Sequence, residues 1–264
     1  MKIYYELAVK AALKAGESIL QVYGTDDFGV EAKVDESPLT LADRQAHEII
    51  VDELRQTNIP ILSEEGAHTP YEERNSWTHF WLVDPLDGTK EFIKRNGEFT
   101  VNIALVEASY TSFGVVFAPV LSELYLGIPG RGAFRCKIQK NFKQALDYLL
   151  QFSDRLPIEN PSESLYRVVA SRSHYNQETK EFVDSLDTGG REISLVYKGS
   201  SLKLCMVASG EADIYPRLGP TMEWDTAAAH AVVKASGKNV YIADTGNELM
   251  YNKENLLNPY FVVK

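Results

Sequence analysis

Apolar residues recur at helical spacing in the first part of the chain. Over Tyr5–Tyr23 this spacing predicts a helix, and Gly24 directly after it is a typical helix end. A second helix is predicted over Thr40–Arg55. Between the two, the alternation of polar and apolar residues over Phe28–Val34 is typical of a strand. The chain therefore begins with two predicted helices separated by one predicted strand.

The next part of the pattern predicts strands. Two short apolar runs, Ile59–Leu62 and Phe80–Val83, are each followed by carboxylates. The stretch Thr100–Leu126 is rich in β-branched and aromatic residues and is punctuated by Gly114 and Pro119. This composition predicts consecutive antiparallel strands.

The pattern is weakest over Gln139–Pro161, and we predict a subdomain boundary there. The boundary separates an N-terminal α+β subdomain, residues 1–140, from a C-terminal α/β subdomain, residues 141–264, within one catalytic unit. A turn leading into a strand is predicted at Gly127–Phe134. The later elements are predicted as alternating strands and helices at Tyr166–Ala170, Gln177–Leu186, Glu192–Tyr197, Leu202–Ser209, Ala212–Tyr215, Thr226–Ser236 and Asn239–Ile242.

Composition narrows the class of protein. Of the 264 residues, 44% are hydrophobic, which supports a folded core rather than a disordered chain. The formal charge of −10 argues against a nucleic-acid partner, because such a partner requires a basic face. An anionic substrate would therefore depend on local positive charge, from bound metal and a few Lys and Arg side chains.

The sequence also bears on compartment. Cys136 and Cys205 form no zinc or redox motif, and Cys205 lies in an apolar stretch typical of a buried hydrophobic residue. The N-terminus lacks the pattern of a secretory signal, and no segment reaches the roughly 20 apolar residues of a membrane span. We expect a cytoplasmic protein without a transmembrane segment. Peripheral association with the inner membrane and the oligomeric state stay open.

The clearest chemical feature is the segment WLVDPLDGTKEF at positions 81–92. An apolar strand delivers Asp84 to its end, and Pro85 with the following Asp-Gly pair forces a turn. Asp84 and Asp87 can then face one point, with the carbonyl group of Leu86 between them. This geometry would suit a cation.

Two further segments bring carboxylates to the ends of predicted elements. PILSEEG places Glu64 and Glu65 after a strand, and EWDTAAAHAV places Asp225 at the start of a helix. Clustered carboxylates raise one another's pKa unless a cation neutralises them. Because no His or Cys adjoins these motifs, oxygen ligands favour Mg²⁺ or Mn²⁺ over zinc.

Each motif taken alone has a simpler interpretation. Asp-Pro-Leu-Asp-Gly occurs in surface turns, the Glu-Glu pair fits a solvated loop, and Asp225 fits the cap of an ordinary helix. Thr40-x-x-Asp43 fits a capping box, and Thr89 fits the cap of a short helix. The occurrence of carboxylates at three separate element ends favours a metal site instead.

The spacing separates this segment from aspartyl-phosphate hydrolases, which carry Asp-x-Asp-x-Thr after an apolar strand. Here the pattern is Asp84-x-x-Asp87-x-Thr89, and the extra residue moves the second carboxylate. We therefore expect both aspartates to bind metal, with water rather than Asp84 as the nucleophile.

At these residues the sequence resembles the inositol monophosphatase superfamily. Its Glu-Glu pair, Asp-Pro-(Leu/Ile)-Asp-Gly-Thr box and Trp-Asp pair occur in order at 64–65, 84–89 and 224–225. Within the superfamily, Val169–His174, Gly199–Arg217 and Gly219–Val232 are most similar to bacterial 3′(2′),5′-bisphosphate nucleotidases. The resemblance covers nearly the whole chain. It implies an α/β fold with an α+β N-terminal part, a layered αβαβα sandwich of the inositol monophosphatase/fructose-1,6-bisphosphatase type.

The same resemblance implies an activity and a metal site. The activity is hydrolysis of 3′-phosphoadenosine 5′-phosphate to AMP and phosphate by metal-activated water, dependent on Mg²⁺ and inhibited by lithium. By motif, Glu64, Asp84 and the Leu86 carbonyl would hold one ion, and Asp84, Asp87 and Asp225 a second. A third Mg²⁺ near Glu64 would bring the number to three.

The resemblance also implies catalytic and substrate-binding residues. Asp43 and Thr89 would orient and deprotonate the attacking water, with the capping box as the alternative account of Asp43. The amides of Gly88 and Thr89, at a turn entering a helix, would bind phosphate oxygens. The full substrate-binding set is Glu64, Gly88, Thr89, His174, Ser200, Lys203, Arg217 and Asp225.

Several of these contacts have structural alternatives. His174 fits a structural or exposed histidine, Ser200 fits the N-cap of the following helix, and Lys203 fits a solvated first-turn residue. Two other functions stay open: an inositol monophosphatase or fructose-1,6-bisphosphatase-like sugar phosphatase, and a non-catalytic sensor of a phosphorylated metabolite. The sensor ranks lowest, because the chain keeps every carboxylate that the metal site requires.

Overall fold

The computed structural model describes residues 2–32, 38–139, 145–158, 162–171 and 175–264. The helices in these ranges are α1 (Lys2–Tyr23), α2 (Leu41–Leu54), α3 (Tyr71–Arg74), α4 (Thr89–Ile93), α5 (Leu146–Gln151), α6 (Gln177–Asp184), α7 (Leu202–Ser209) and α8 (Glu223–Ala235). The strands are β1 (Glu31–Ala32), β2 (Pro38–Leu39), β3 (Ile61–Ser63), β4 (His79–Asp87), β5 (Thr100–Glu107), β6 (Tyr110–Ala118), β7 (Glu123–Ile128), β8 (Gly132–Lys137), β9 (Asp154–Leu156), β10 (Leu165–Ser171), β11 (Glu192–Lys198), β12 (Tyr215–Arg217), β13 (Val240–Ile242) and β14 (Phe261–Val263).

A seven-stranded sheet forms the centre of the fold, in the order β3-β4-β5-β6-β7-β8-β9. Strands β3 and β4 pair in parallel, and each later pair is antiparallel. Short turns join the strands from β5 to β8, so successive strands lie side by side. The predicted run of antiparallel strands is confirmed.

Alternate residues of the sheet pack against different helices, as the two-residue period of a strand requires. Val101 and Ile103 of β5 belong to the core cluster that includes α1 and α2. Ala104 and Val106 of the same strand belong to the cluster that includes α7 and α8. The central sheet is therefore buried on both faces, which fits the apolar composition of its strands.

Two small sheets lie on the other side of α7 and α8. One pairs β10 and β11 in parallel, and the other has the order β12-β14-β13. Val169 and Phe261 pack in the cluster of α7 and α8, whereas Val168 and Val262 pack with Val183 of α6. The layers are thus α1/α2, the large sheet, α7/α8, the small sheets and α6, which confirms the predicted αβαβα sandwich.

Glycines let α8 approach the large sheet closely. A Cβ atom on Gly114 would lie 2.1 Å from the carbonyl oxygen of Ala228, and one on Gly127 would lie 2.3 Å from that of Ala231. Gly114 was predicted to punctuate the strands, but it lies within β6, and the turn before β6 is at Ala108–Ser109. The glycine serves helix–sheet packing rather than a turn.

Some predicted boundaries differ from the structure. The stretch Gln139–Pro161, where the sequence pattern is weakest, contains α5 and β9, and pairing of β9 with β8 extends the large sheet past residue 140. The strand predicted at Ala212–Tyr215 lies instead at Tyr215–Arg217, where it pairs with β14. Of the strand predicted over Phe28–Val34, the described residues contain Glu31–Ala32. The division into two subdomains stays a prediction.

The expectations about membrane-spanning segments and about the two cysteines can be compared with the structure. Across the described ranges, none of the helices combines the length and the apolar character that crossing a bilayer requires. Cys136 and Cys205 are buried free thiols, which confirms the interpretation of Cys205 as a small buried hydrophobic residue.

Candidate active site

The Asp-Pro-Leu-Asp-Gly segment lies at the carboxyl end of β4. Asp84 is buried there, and the backbone N–H of Leu86 donates to its Oδ1 atom at 3.0 Å. Pairing between β4 and β5 shifts register between Asp84 and Asp87, where Pro85 supplies no N–H for the ladder. This irregularity directs the two carboxylates toward a cavity at the end of the sheet.

Three carboxylates from separate elements meet in this cavity. One oxygen from each of Glu64, Asp84 and Asp225 lies within 4.8 Å of the others. Glu64 follows β3, and its N–H donates to the carbonyl of Val83 at 3.1 Å, which continues the β3–β4 pairing. Asp225 lies in the first turn of α8 and accepts from the N–H of Met222 at 2.8 Å.

The electrostatics of this group fit a cation. Burial, followed by the charges of Glu64, Asp87 and Asp225, raises the pKa of Asp84 well above its usual range. Burial, followed by the charges of Asp87 and Glu64, likewise raises the pKa of Asp225. A bound cation would remove this repulsion, and carboxylate oxygens alone are the donor set of a hard ion. The residues therefore fit a divalent metal ion.

Asp87 lines the same cavity but lies outside the group of three. Its Oδ2 atom accepts from the hydroxyl of Ser200 at 2.6 Å, from the N–H of Ser201 at 2.7 Å and from Nδ2 of Asn102 at 3.4 Å. The carbonyl of Leu86 accepts from the hydroxyl of Thr89 at 3.3 Å. Both residues border the carboxylate group, and their part in metal binding stays a prediction.

Asp43 and Thr89 contact each other. The hydroxyl of Thr89 donates to Oδ1 of Asp43 at 3.2 Å. Oδ2 of Asp43 accepts from the N–H of Thr40 at 2.8 Å and lies 2.5 Å from its hydroxyl. The two interpretations of Asp43 are therefore compatible, because one carboxylate oxygen caps α2 and the other meets Thr89. Thr89 lines the cavity, and Gly88 rather than Thr89 caps α4.

The cavity has a volume of about 380 Å³ and also contains buried cations. Lys203 is 7% exposed, and its Nζ donates to the carbonyl of Ser200 at 2.5 Å. Burial lowers the pKa of Lys203 to about 8, against the opposing effect of Asp87. The solvated alternative for Lys203 is therefore wrong. The N-cap alternative for Ser200 is also wrong, because Ser201 caps α7.

Arg217 is the second buried cation. It is 8% exposed on β12, and its Nη2 donates to the carbonyl of Pro220 at 2.7 Å. Its Nε atom is buried and, among the described residues, has no hydrogen-bond partner. The Arg217 side chain lines the cavity, where its positive charge would attract an anionic ligand.

Comparison with known proteins agrees with the geometry of the cavity. The sequence profile of the inositol monophosphatase family matches residues 2–260. The chain belongs to the inositol monophosphatase family.

Its similarity to individual members is high over the full length. It is 45% identical to the 3′(2′),5′-bisphosphate nucleotidase CysQ of Escherichia coli strain K12, over 96% of each chain. The corresponding CysQ of Haemophilus influenzae is 35% identical, over 96% of this chain and 89% of the relative. The crystal structure of CysQ from Bacteroides thetaiotaomicron matches with a TM-score of 0.89 and 48% identity, over 98% of this chain and 95% of that one. The predicted family and subfamily resemblance is confirmed.

In the present chain, the cavity is also lined by residues that the sequence did not single out. Lys198, Tyr215 and Thr221 line the cavity beside the predicted contacts. Lys198 ends a strand and Tyr215 begins one, so their local patterns indicate only β-structure. His174, predicted to contact substrate, lies outside the described residues.

Proposed function

We propose that this chain is a magnesium-dependent 3′(2′),5′-bisphosphate nucleotidase that hydrolyses 3′-phosphoadenosine 5′-phosphate to AMP and phosphate. The chain is a hydrolase of the phosphatase type, as its family and its CysQ relatives indicate. The nucleotide substrate is supported by relatives named 3′(2′),5′-bisphosphate nucleotidase, which are 44–46% identical over 96–98% of this chain.

One observation carries the choice of a bisphosphate. The same cavity contains a carboxylate group suited to a metal-bound phosphate and two buried cations, Lys203 and Arg217. A second phosphate would neutralise Lys203 and pair with the positive charge of Arg217, which lines the same cavity. A substrate with a single phosphate at the carboxylates would leave both cations without a counter-charge from the ligand.

The metal assignment is the one that the family resemblance implies, and the group formed by Glu64, Asp84 and Asp225 supports it. In this proposal Glu64, Asp84 and the Leu86 carbonyl would hold one Mg²⁺, and Asp84, Asp87 and Asp225 would hold a second. A third ion would lie near Glu64, and Mn²⁺ would substitute for Mg²⁺. Bound ions of this kind supply a water of lowered pKa and positive charge for the leaving oxygen.

The protein itself orients the water and moves its proton. The Thr89 hydroxyl, already donating to Asp43 at 3.2 Å, would take a proton from the attacking water as it passes its own to the Asp43 carboxylate. The water oxygen bonds to phosphorus as the bond from phosphorus to the ribose 3′ oxygen breaks. The ribose 3′ oxygen leaves with the electron pair of that bond and takes a proton from solvent, and Asp43 returns its proton to solvent as AMP and inorganic phosphate leave.

Other groups would bind and orient the substrate. We assign the backbone amides of Gly88 and Thr89 to the scissile phosphate, where α4 begins. Ser200, Lys203 and Arg217 would bind the second phosphate and the nucleoside, with His174 as a further predicted contact.

The first test is phosphate release from 3′-phosphoadenosine 5′-phosphate, with and without Mg²⁺, beside AMP and inositol 1-phosphate. We expect rapid, metal-dependent release from the bisphosphate alone, and inhibition by lithium. Release only from inositol 1-phosphate would refute the substrate assignment. Tight nucleotide binding without turnover would favour a sensor.

A matched variant tests the metal assignment. Asp87→Asn should keep the fold, because an amide oxygen can still accept from Ser200 and Ser201, but it should abolish turnover. Circular dichroism would check the fold. Activity equal to that of the wild type would contradict a metal-binding role for Asp87.

A further inference from the structure

A buried network of hydroxyl and amide groups joins β5 to the start of α7. The hydroxyl of Thr100 lies 2.6 Å from that of Ser200, 2.8 Å from that of Ser201 and 3.1 Å from Oδ1 of Asn102. The Ser201 hydroxyl also donates to Asn102 Oδ1 at 2.8 Å. Thr100, Asn102 and Ser201 are each at most 2% exposed. Buried polar networks that are fully paired orient their members strongly.

This network converges on one atom, Oδ2 of Asp87. Three donors meet it: the Ser200 hydroxyl, the Ser201 N–H and, at longer range, Asn102 Nδ2. Among the described residues, the hydrogen bonds to this carboxylate all fall on Oδ2. The network therefore fixes the rotation of the Asp87 carboxylate and leaves Oδ1 as the oxygen for a cation.

The same contacts hold the turn at residues 199–201 in place. Ser200 has a positive φ of 54°, an uncommon conformation for a serine. The N–H of Gly199 donates to Glu98 Oε2 at 2.8 Å, and a Cβ atom at Gly199 would lie 2.8 Å from the Glu98 carbonyl oxygen. The turn therefore packs closely against the segment that enters β5, and only glycine fits at position 199.

The turn also carries part of the proposed nucleotide site. Lys203 Nζ donates to the carbonyl of Ser200, so a hydrogen bond links the lysine to the turn. Ser200 contacts Asp87 with its side chain and Lys203 with its backbone. A ligand that shifts or rigidifies this turn must change how firmly Asp87 is held.

We propose that Thr100, Asn102 and Ser201 are positioning residues that orient Asp87 for a divalent cation and couple cation binding to nucleotide binding at Ser200 and Lys203. This inference rests on the proposed function for the identity of the two ligands. Because coupling between two binding sites is reciprocal, the nucleotide should tighten cation binding by the same factor as the cation tightens nucleotide binding.

Thr100→Val is the sharpest test, because it keeps the side-chain shape and removes the hydroxyl that contacts three network members. Thr100 is not among the residues that line the cavity. Titration calorimetry of Mn²⁺ into the full chain, with and without saturating AMP, measures cation affinity and coupling without turnover. We expect Thr100→Val to weaken Mn²⁺ binding by about five- to tenfold and to bring the AMP-dependent factor close to one.

Two controls separate positioning from a general loss of stability. Thr111→Val removes a buried hydroxyl that donates to the Ala227 carbonyl outside the network, and Thr100→Ser restores the network hydroxyl. Both should bind Mn²⁺ within about twofold of the wild type. If Thr100→Val does not fold, Ser201→Ala removes a different hydroxyl of the same network and takes its place.

The possible results of these titrations separate failure of the positioning role from failure of the proposed function. Wild-type Mn²⁺ affinity in Thr100→Val, equal weakening in Thr111→Val, or no effect of AMP on the wild type would each overturn the inference. If the wild type binds Mn²⁺ and AMP cooperatively but does not hydrolyse the bisphosphate, the proposed function fails while the positioning role stands.

Discussion

Replacement of Lys203 by methionine tests the cost of burying a cation in the cavity. The side chain is 7% exposed, and burial lowers its pKa from 10.5 to about 8. At about 1.4 kcal/mol for each tenfold change in proton affinity, this fall corresponds to a penalty of about 3 kcal/mol on the charged form. Methionine has a similar length and no charge, so it should keep most of the packing. We expect Lys203→Met to stabilise the metal-free protein by about 1–3 kcal/mol at neutral pH.

The stability of the wild type and that of Lys203→Met should also change differently with pH. Because the pKa of Lys203 is lower in the folded protein than in the unfolded chain, the unfolded chain binds more protons between about pH 8 and 10.5. Below that window the penalty is fully present. As the pH rises through the window, the lysine contribution should make the wild type more stable, and Lys203→Met should lack this rise.

Urea unfolding in the presence of EDTA, at neutral pH and at about pH 10, measures both effects. Lys94→Met is the matched control, because Lys94 is exposed and its replacement should change stability by less than about 0.5 kcal/mol. The same Lys203 variant should raise the KM for 3′-phosphoadenosine 5′-phosphate. A variant less stable than the wild type at neutral pH, with no pH-dependent difference, would refute the reasoning.

Three further perturbations probe the site and the packing beneath it. Asp84→Asn should raise the melting temperature in EDTA, because it removes one of the mutually repelling buried charges, yet abolish turnover; a lower melting temperature would contradict this. Thr89→Ala should slow turnover by at least about tenfold with a smaller effect on Mn²⁺ affinity, and unchanged turnover would argue against the pairing with Asp43. Gly114→Ala should destabilise the fold by about 1–3 kcal/mol in urea unfolding, since its methyl group would overlap the Ala228 carbonyl; a neutral effect would mean that α8 shifts freely.

Local sequence patterns determined much of the secondary structure. The helix predicted over Leu202–Ser209 has the observed bounds of α7, and the β-branched run from Thr100 forms β5 to β7. These elements are set by side-chain period and by Gly and Pro positions, which act within a few residues. The motifs at 64–65, 84–89 and 224–225 likewise identified the family without a structure.

Other features depend on contacts between distant segments. The carboxylates of Glu64, Asp84 and Asp225 meet only because β3 and β4 pair in parallel and α8 packs across the same sheet. Lys203 looks like a solvated helical residue in sequence, and it is buried because α7 lies between two sheets. Burial depends on what packs against a residue, and its own neighbours in sequence do not specify that.

The hydrogen-bond network around Asp87 could not be predicted from the sequence. In the sequence, Thr100 and Asn102 are two polar residues at the start of a strand, and Ser201 is one of a serine pair. The tertiary structure joins them by hydrogen bonds between residues about a hundred positions apart, and Asn102 Nδ2 and the Ser201 N–H reach one oxygen of Asp87. Sequence alone determined which chemistry the chain carries and in which elements. The packing of β5 against the turn before α7 decided which side chains orient that chemistry, because hydrogen bonds depend on distances that only the folded chain sets.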